Sequence, residues 1–393
     1  MIAVFAGKND LISMSYQPKL ALVHDDLVQQ GGAEMLFEEI ASIYPDAPIY
    51  TSLVDWSKIP SSINKNRIHT SFIQKIPFAQ KFYKAILPLY PLAFESFNLD
   101  DFDIVISSTT RFAKSTITKP KTVHICYINS VPRFLYNQNI QKHYLSNSLA
   151  FILSPYFSWL KRWDKAASKR PDLYIANSQN VKNQVKKIYG RESVVIYPFV
   201  DTEFFCKKYQ KGQGDQRYEN EKDYCLVVSR LNKWKRIEIA IQACLEHKIN
   251  LKIVGTGPDE ERLKKLAIRG QRLELRGQIQ FLGNVRKDKL RELYQNAKAL
   301  IVTQEEDFGI AAVEAQACGT SVIAFNAGGA KETVINGKTG LFFDIQNEKS
   351  LKDAILAHSR LKWDSVACRR NALKFSKKVF RQNLTSVVKK YVH

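Results

Sequence analysis

From residue 223 onward, short apolar runs alternate with amphipathic stretches. The apolar runs fall at 224–228, 251–254, 279–282, 299–302 and 322–324, and each leads into a loop of glycine, asparagine or charged residues. Helical spacing of apolar side chains lies between them, at 237–244 and 290–294. Continuous apolar runs of this length read as strands covered on both faces, and strict strand-helix alternation requires a parallel, doubly wound sheet. In such sheets ligands bind outside the C-terminal ends of the strands, so the chemistry belongs to the loops that follow them. The first half repeats the rhythm with strands at 19–23, 104–106, 123–127, 172–177 and 194–197. With 393 residues, two α/β domains of ordinary size are expected.

The loop after 299–302 carries the densest chemistry, Glu306-Asp307-Phe308-Gly309-Ile310-Ala311-Ala312-Val313-Glu314. A helix starting near Gly309 and closed by Cys318-Gly319 would leave its first backbone N–H groups facing the loop, where they favour phosphate and hydroxyl oxygens. Glu314 would sit about 7 to 8 Å along that helix, at about 1.5 Å per residue. Acidic residues also simply favour helix N-termini. Earlier, Arg230-Leu-Asn-Lys-Trp-Lys235 places two cations around a strand-to-helix loop, where a bidentate guanidinium and a compact ammonium suit a diphosphate. A solvated basic turn is the plainer reading, since Lys233 and Arg236 stand there too.

Glu-x-Phe-Gly-x4-Glu followed by Ala-x-Ala-x-Gly-x-x-Val-Ile-Ala resembles the signature of family 4 retaining glycosyltransferases of GT-B fold, in which two Rossmann-like domains face a cleft. The resemblance extends over about residues 18–380 and is strongest to bacterial mannosyltransferases that build O-antigen and related surface polysaccharides. It implies that Glu306 holds the donor sugar and Glu314 the nucleotide ribose. It also implies that Arg230 and Lys235 absorb the charge of the leaving diphosphate, in place of a metal. Phe308, Gly309 and Ile310 belong to the same donor site. Gly255 and Gly257 would let the backbone pass close to the nucleotide, and Asn284 stands in the loop that reads the base through main-chain groups. In the first domain, Gly31 and Gly32 resemble the family's glycine loop.

The loop Ile128-Asn129-Ser130-Val131-Pro132-Arg133-Phe134 resembles the family's active-site loop, but Asn129 stands where the family commonly carries His. Asparagine can hydrogen-bond a hydroxyl and cannot carry a proton at neutral pH. His24 and Arg133 are the expected acceptor-side residues. His124, inside a strand, reads as structural. Asp101-Phe102-Asp103 imitates a metal-binding Asp-x-Asp, yet acidic residues before a strand are commonly turn formers, and no metal is expected.

The implied organisation is an acceptor-binding domain at 1–202, a polar linker at 203–222, a nucleotide-sugar domain at 223–365, and a helix at 366–393 crossing back to the first domain. Met14 is an alternative start to Met1. Residues 70–97 read as a helical hairpin rich in aromatic and basic side chains, with a second such region at 149–169. The formal charge of +21, spread as +8 over residues 1–200 and +13 over the rest, favours anionic partners. No nucleic-acid motif accompanies it, so nucleic acid is not expected. Six scattered cysteines without a Cys-x-x-Cys pair suit reduced thiols.

The expected protein is a hexosyltransferase needing no cofactor, cytoplasmic and peripheral at the inner face of the membrane. Its expected substrates are GDP-mannose and a lipid-linked saccharide acceptor, with an anionic membrane surface as partner. A UDP-sugar donor, a GT-B epimerase acting on a UDP-sugar and a catalytically silent sugar-nucleotide-binding homologue remain as alternatives.

Overall fold

The computed structural model describes residues 18–81, 86–137, 154–206, 223–272 and 278–391. Residues 207–222 of the expected linker at 203–222, the N-terminal stretch with Met1 and Met14, and residues 149–153 of the second aromatic region lie outside them.

Strands β1 (Leu20–His24), β2 (Ile49–Thr51), β3 (Ile68–Thr70), β4 (Ile104–Thr109), β5 (Val123–Ile128), β6 (Leu173–Ala176) and β7 (Ser193–Val195) form one sheet, ordered β3-β2-β1-β4-β5-β6-β7. Strands β8 (Tyr224–Val228), β9 (Asn250–Val254), β10 (Ile279–Gly283), β11 (Ala297–Val302), β12 (Val322–Phe325) and β13 (Gly340–Phe343) form the other, ordered β10-β9-β8-β11-β12-β13. The pairings are parallel: β1 aligns Leu22 with Ile106 of β4, and β11 aligns Leu300 with Leu226 of β8. Continuous apolar runs are needed because helices cover both faces of each sheet. Strand order reverses beside β1 in the first sheet and beside β8 in the second, and the loops leaving β1, β4, β8 and β11 converge at those two switch points.

Each sheet carries buried clusters on its two sides. Leu22, Ile106, Ile125 and Ile175 pack on one side of the first sheet, and Val23, Val105, Phe94 and Phe112 on the other. Inside the first domain Lys114 and Asp164 form a fully buried ion pair at 2.5 Å, and the hydroxyls of Tyr136 (2.9 Å) and Tyr189 (2.7 Å) donate to the same carboxylate. Those bonds fill the remaining lone pairs of Asp164, which a buried charge requires.

Phe205 is buried in the second domain's cluster, so that core begins before the polar stretch. The C-terminal segment divides between the two domains. Phe375 packs on Phe308 with ring centroids 5.3 Å apart, whereas Phe380, Leu384 and Val388 of the helix Lys377–Lys389 enter the first domain's core. Lys377 (2.7 Å) and Arg381 pair with the buried Glu39 of the first domain. The tail thus ties the domains together by apolar burial, with charge pairs at its rim.

Residues 70–97 do not form the expected helical hairpin. Among the described residues they make two 3-10 turns, Phe72–Lys75 and Leu87–Leu89, and the short helix Tyr90–Glu95. Pro77, Pro88 and Pro91 break any longer helix, because each removes a backbone donor. Asp103 accepts from the backbone N–H of Lys19 (2.8 Å), which places it in the turn leading into β4.

Candidate active site

A cleft of about 390 Å³ lies between the domains, where the loops after β4, β5, β6, β8 and β11 meet. The first domain contributes Gly32, Thr110, Asn129 and Asn177, and the second contributes Arg230, Trp234, Lys235, Gln304, Glu306 and the start of the helix Ile310–Ala317.

Lys235 reaches the cleft because the 3-10 turn Lys233–Lys235 ends in Arg236, a non-glycine residue at φ 54°, and the helix Ile237–Glu246 begins directly behind it. Its ammonium pairs with the Glu306 carboxylate at 2.5 Å and lies 4.1 Å from the centre of the Trp234 ring. Burial opposes ionisation of Glu306, but Lys235, Arg133 and the hydrogen bond from Gln304 outweigh it and hold the carboxyl below its ordinary value. Burial likewise pushes Lys235 below its ordinary value, against the pull of Glu306. The Thr303 hydroxyl fixes this turn by donating to Lys235 O at 2.7 Å.

Gly309 precedes the helix at φ 93°, a left-handed conformation in which a side chain would be strained. That turn lets the chain leave the acidic loop and enter the helix at once, with Gly309, Ile310, Ala311 and Ala312 all lining the cleft. Glu314 sits further along the helix and accepts from the Tyr294 hydroxyl at 2.8 Å. Burial pushes its carboxyl up to about 7, only partly offset by Tyr294 and Lys287.

Several expected residues therefore line one cleft: Gly32, Asn129, Arg230, Lys235, Glu306, Phe308, Gly309 and Ile310. Asn129 is buried, and its amide donates to Ser108 Oγ at 3.2 Å. Arg230 is exposed and spans the cleft to Gln29 Oε1 at 3.1 Å. Gly31 caps the helix Gly32–Ile43 beside Arg230.

Other expected residues take different positions. His24 is buried, stacks on Phe37 with centroids 4.4 Å apart, and places Nδ1 at 3.0 Å from Ser108 O. His124 is structural within β5, as its place in a strand suggested: it is buried, which drives its pKa down to about 3, and its Nε2 meets Ser107 Oγ at 2.8 Å. Asn284 is exposed at the end of β10. Gly255 and Gly257 face protein backbone: an added Cβ would lie 2.0 Å from Ser229 O and 2.3 Å from Leu231 O respectively. Their backbone holds the Arg230 loop in place, with Leu231 N donating to Thr256 O at 3.0 Å. Arg133 forms an ion pair with Asp307 at 2.6 Å, and its guanidinium lies 5.0 Å from the centre of the Trp234 ring.

Trp234, Gln304 and Asp307 belong to the site and were not expected there. All three stand within or beside the motifs, but residue pattern carries no side-chain direction in a loop, so only the folded geometry reveals them.

Two parallel-sheet domains sharing a cleft at their strand C-termini constitute the GT-B fold. The Anabaena protein HepE, solved in complex with UDP and glucose, superposes with a TM-score of 0.66 at 20% identity, covering 95% of this chain and 100% of that one. WaaG, a glycosyltransferase involved in lipopolysaccharide biosynthesis, superposes with a TM-score of 0.58 at 15% identity over 90% of this chain and 93% of that one.

The family described as Glycosyltransferase Family 4 matches residues 31–204, and the one described as Glycosyl transferases group 1 matches residues 211–375. These two matches, one to each half, place the chain with glycosyltransferases of the family 4 type. An uncharacterized glycosyltransferase of Methanocaldococcus jannaschii is 27% identical over 71% of this chain and 69% of its own length. Another from that organism is 28% identical over 49% of this chain, which spans about half (51%) of its length. An alpha-1,3/1,6-mannosyltransferase of Dictyostelium discoideum is 28% identical over 56% of this chain and 61% of its own length.

Proposed function

We propose that this protein transfers a hexose, mannose from GDP-mannose, to a lipid-linked saccharide in surface-polysaccharide synthesis, with retention of configuration. The observation that carries the reading is the Lys235–Glu306 pair at the mouth of the helix Ile310–Ala317, in a cleft shared by both domains. The Lys235 ammonium and Arg230 guanidinium stabilise charge developing on the departing diphosphate, a fixed electrostatic contribution that needs no metal and no cofactor. Amides at the start of the helix hold phosphate or hydroxyl oxygens. Glu306, ionised, accepts from donor-sugar hydroxyls, and Glu314 accepts from the ribose. Asn129 offers a neutral hydrogen bond to the reacting sugar from the first-domain side, and the acceptor enters over that domain. The mannosyltransferase among the relatives supports mannose as the sugar.

A UDP-sugar donor is the second reading, favoured by the UDP and glucose bound in a protein of the same fold. The acceptor reading brings the protein to the inner membrane surface through its positive charge. Among the described residues no helix is long and apolar enough to cross a membrane, which suits association from one side.

The test is product formation with membrane-extracted lipid acceptor from GDP-mannose and from UDP-glucose, wild type beside Glu306→Ala, with and without excess EDTA. Transfer from GDP-mannose that needs Glu306 and survives EDTA is expected. Nucleotide-sugar binding without transfer to any acceptor would point to a silent homologue, and activity restored by Mg²⁺ after EDTA would overturn the metal-free mechanism.

A further inference from the structure

Arg133 belongs to the first domain, yet the partners it engages lie on the second. Its backbone is anchored where β5 ends: Leu135 is buried, and the Phe134 ring packs on Phe112 with centroids 6.1 Å apart. Its guanidinium leaves that anchor to meet Asp307 at 2.6 Å and the Trp234 ring at 5.0 Å. Both partners adjoin the Lys235–Glu306 pair, Trp234 next to Lys235 and Asp307 next to Glu306. The Arg133 and Asp307 side chains are 23% and 14% exposed, so the pair is shielded enough to exceed an ordinary surface ion pair.

We propose that Arg133 is a positioning residue that couples closure of the cleft to placement of the Glu306 carboxylate, acting through Asp307 and Trp234. The assignment rests on Glu306 and Lys235 forming the donor site. When the domains part, the guanidinium leaves with the first domain and the acidic loop keeps Lys235 on Glu306 but loses the cation on Asp307. A donor bound between the domains therefore meets an acidic loop restrained at both Glu306 and Asp307 only in the closed form.

A second contact reports closure independently. The backbone N–H groups of Gln179 and Asn180, at the start of the helix Gln179–Tyr189, donate across the cleft to Glu332 at 2.7 and 2.9 Å. Their hydrogen exchange follows domain opening even when the open form is rare. The Asn129 N–H, which donates to Thr109 O inside the first domain at 2.8 Å, is the internal control.

The experiment measures amide exchange in the full chain for wild type, Arg133→Ala, Asp307→Ala and the double variant, together with binding of GDP, UDP, GDP-mannose and UDP-glucose. Exchange at Gln179 and Asn180 should rise on the order of tenfold in each single variant, the scale of one charge-assisted hydrogen bond. The double variant should exchange no faster than Arg133→Ala, because that substitution already removes the Asp307 pair along with the Trp234 contact. Asn129 should be unchanged, and nucleotide affinity should fall by a similar factor. Unchanged exchange at Gln179 and Asn180, additive effects in the double variant, or faster exchange at Asn129 would each overturn the proposal. Asp307→Ala lies on the other domain, so it keeps the test decisive if Arg133→Ala folds poorly. Because the exchange needs no nucleotide, a wild type that binds none of GDP, UDP, GDP-mannose and UDP-glucose would refute the donor-site reading and leave the coupling of Arg133 to closure standing.

Discussion

If Glu314 receives the ribose, as proposed, nucleotide-sugar binding is a proton-linked event. Burial raises its carboxyl from an ordinary 4.5 to about 7, so near neutral pH the side chain is close to half protonated. A protonated carboxyl still accepts at its carbonyl oxygen, but accepting from ribose hydroxyls at both oxygens requires the ionised form, so binding in that mode expels the proton. If the bound form titrates near its ordinary value, the affinity at pH 6 should be about tenfold weaker than at pH 8, and binding at pH 7 should release about half a proton.

The assay is calorimetry with GDP-mannose and UDP-glucose in buffers of different ionisation enthalpy. A nucleotide sugar is preferable to free GDP, because a terminal phosphate itself titrates near pH 6. Glu314→Gln should abolish both the proton release and the pH dependence. The same group sets a stability trend. Its folded pKa lies above its unfolded one, so the stability it confers is fully present below about pH 4.5 and is lost as the pH rises through about 7. The loss is on the order of 3 kcal/mol. Glu314→Gln should therefore be more stable than wild type above pH 7, since the Tyr294 hydroxyl can donate equally well to an amide oxygen. Proton release in Glu314→Gln equal to that of wild type, or an affinity flat between pH 6 and 8, would refute the reasoning.

Lys235→Ala should lower kcat/KM about a hundredfold, or about 2.7 kcal/mol, with the protein still folded, and Arg230→Ala at least as much; activity within a few-fold of wild type in steady-state kinetics would end the diphosphate assignment. Lys114→Met should destabilise the first domain by about 3 to 5 kcal/mol in urea unfolding, because it strands the buried Asp164. The +21 charge predicts binding to anionic vesicles that weakens as salt rises, and equal binding to neutral vesicles in a sedimentation assay would exclude the electrostatic contribution.

The two parallel sheets and the loops that carry the chemistry were readable in the order of the residues. Those features are local: a buried strand needs a short apolar run, a helix needs its spacing, and a left-handed turn such as Gly309 favours glycine. Gly32, Arg230, Lys235 and Glu306 were legible as cleft-lining positions for the same reason, since each stands in the loop or first turn that follows a strand. Their partners were not legible. Lys235 meets Glu306 from 71 positions away, and Arg133 meets Asp307 from the other domain. Gly255 and Gly257 show the same limit: pattern flags a close approach, and only the fold reveals that the approaching group is the backbone of Ser229 and Leu231. His24 resembled an acceptor contact until its stacking on Phe37 buried it. Tertiary structure decided these points because side-chain direction in a loop, and the desolvation that sets the Glu314 pKa, depend on neighbours brought together by packing two domains and a returning C-terminal helix.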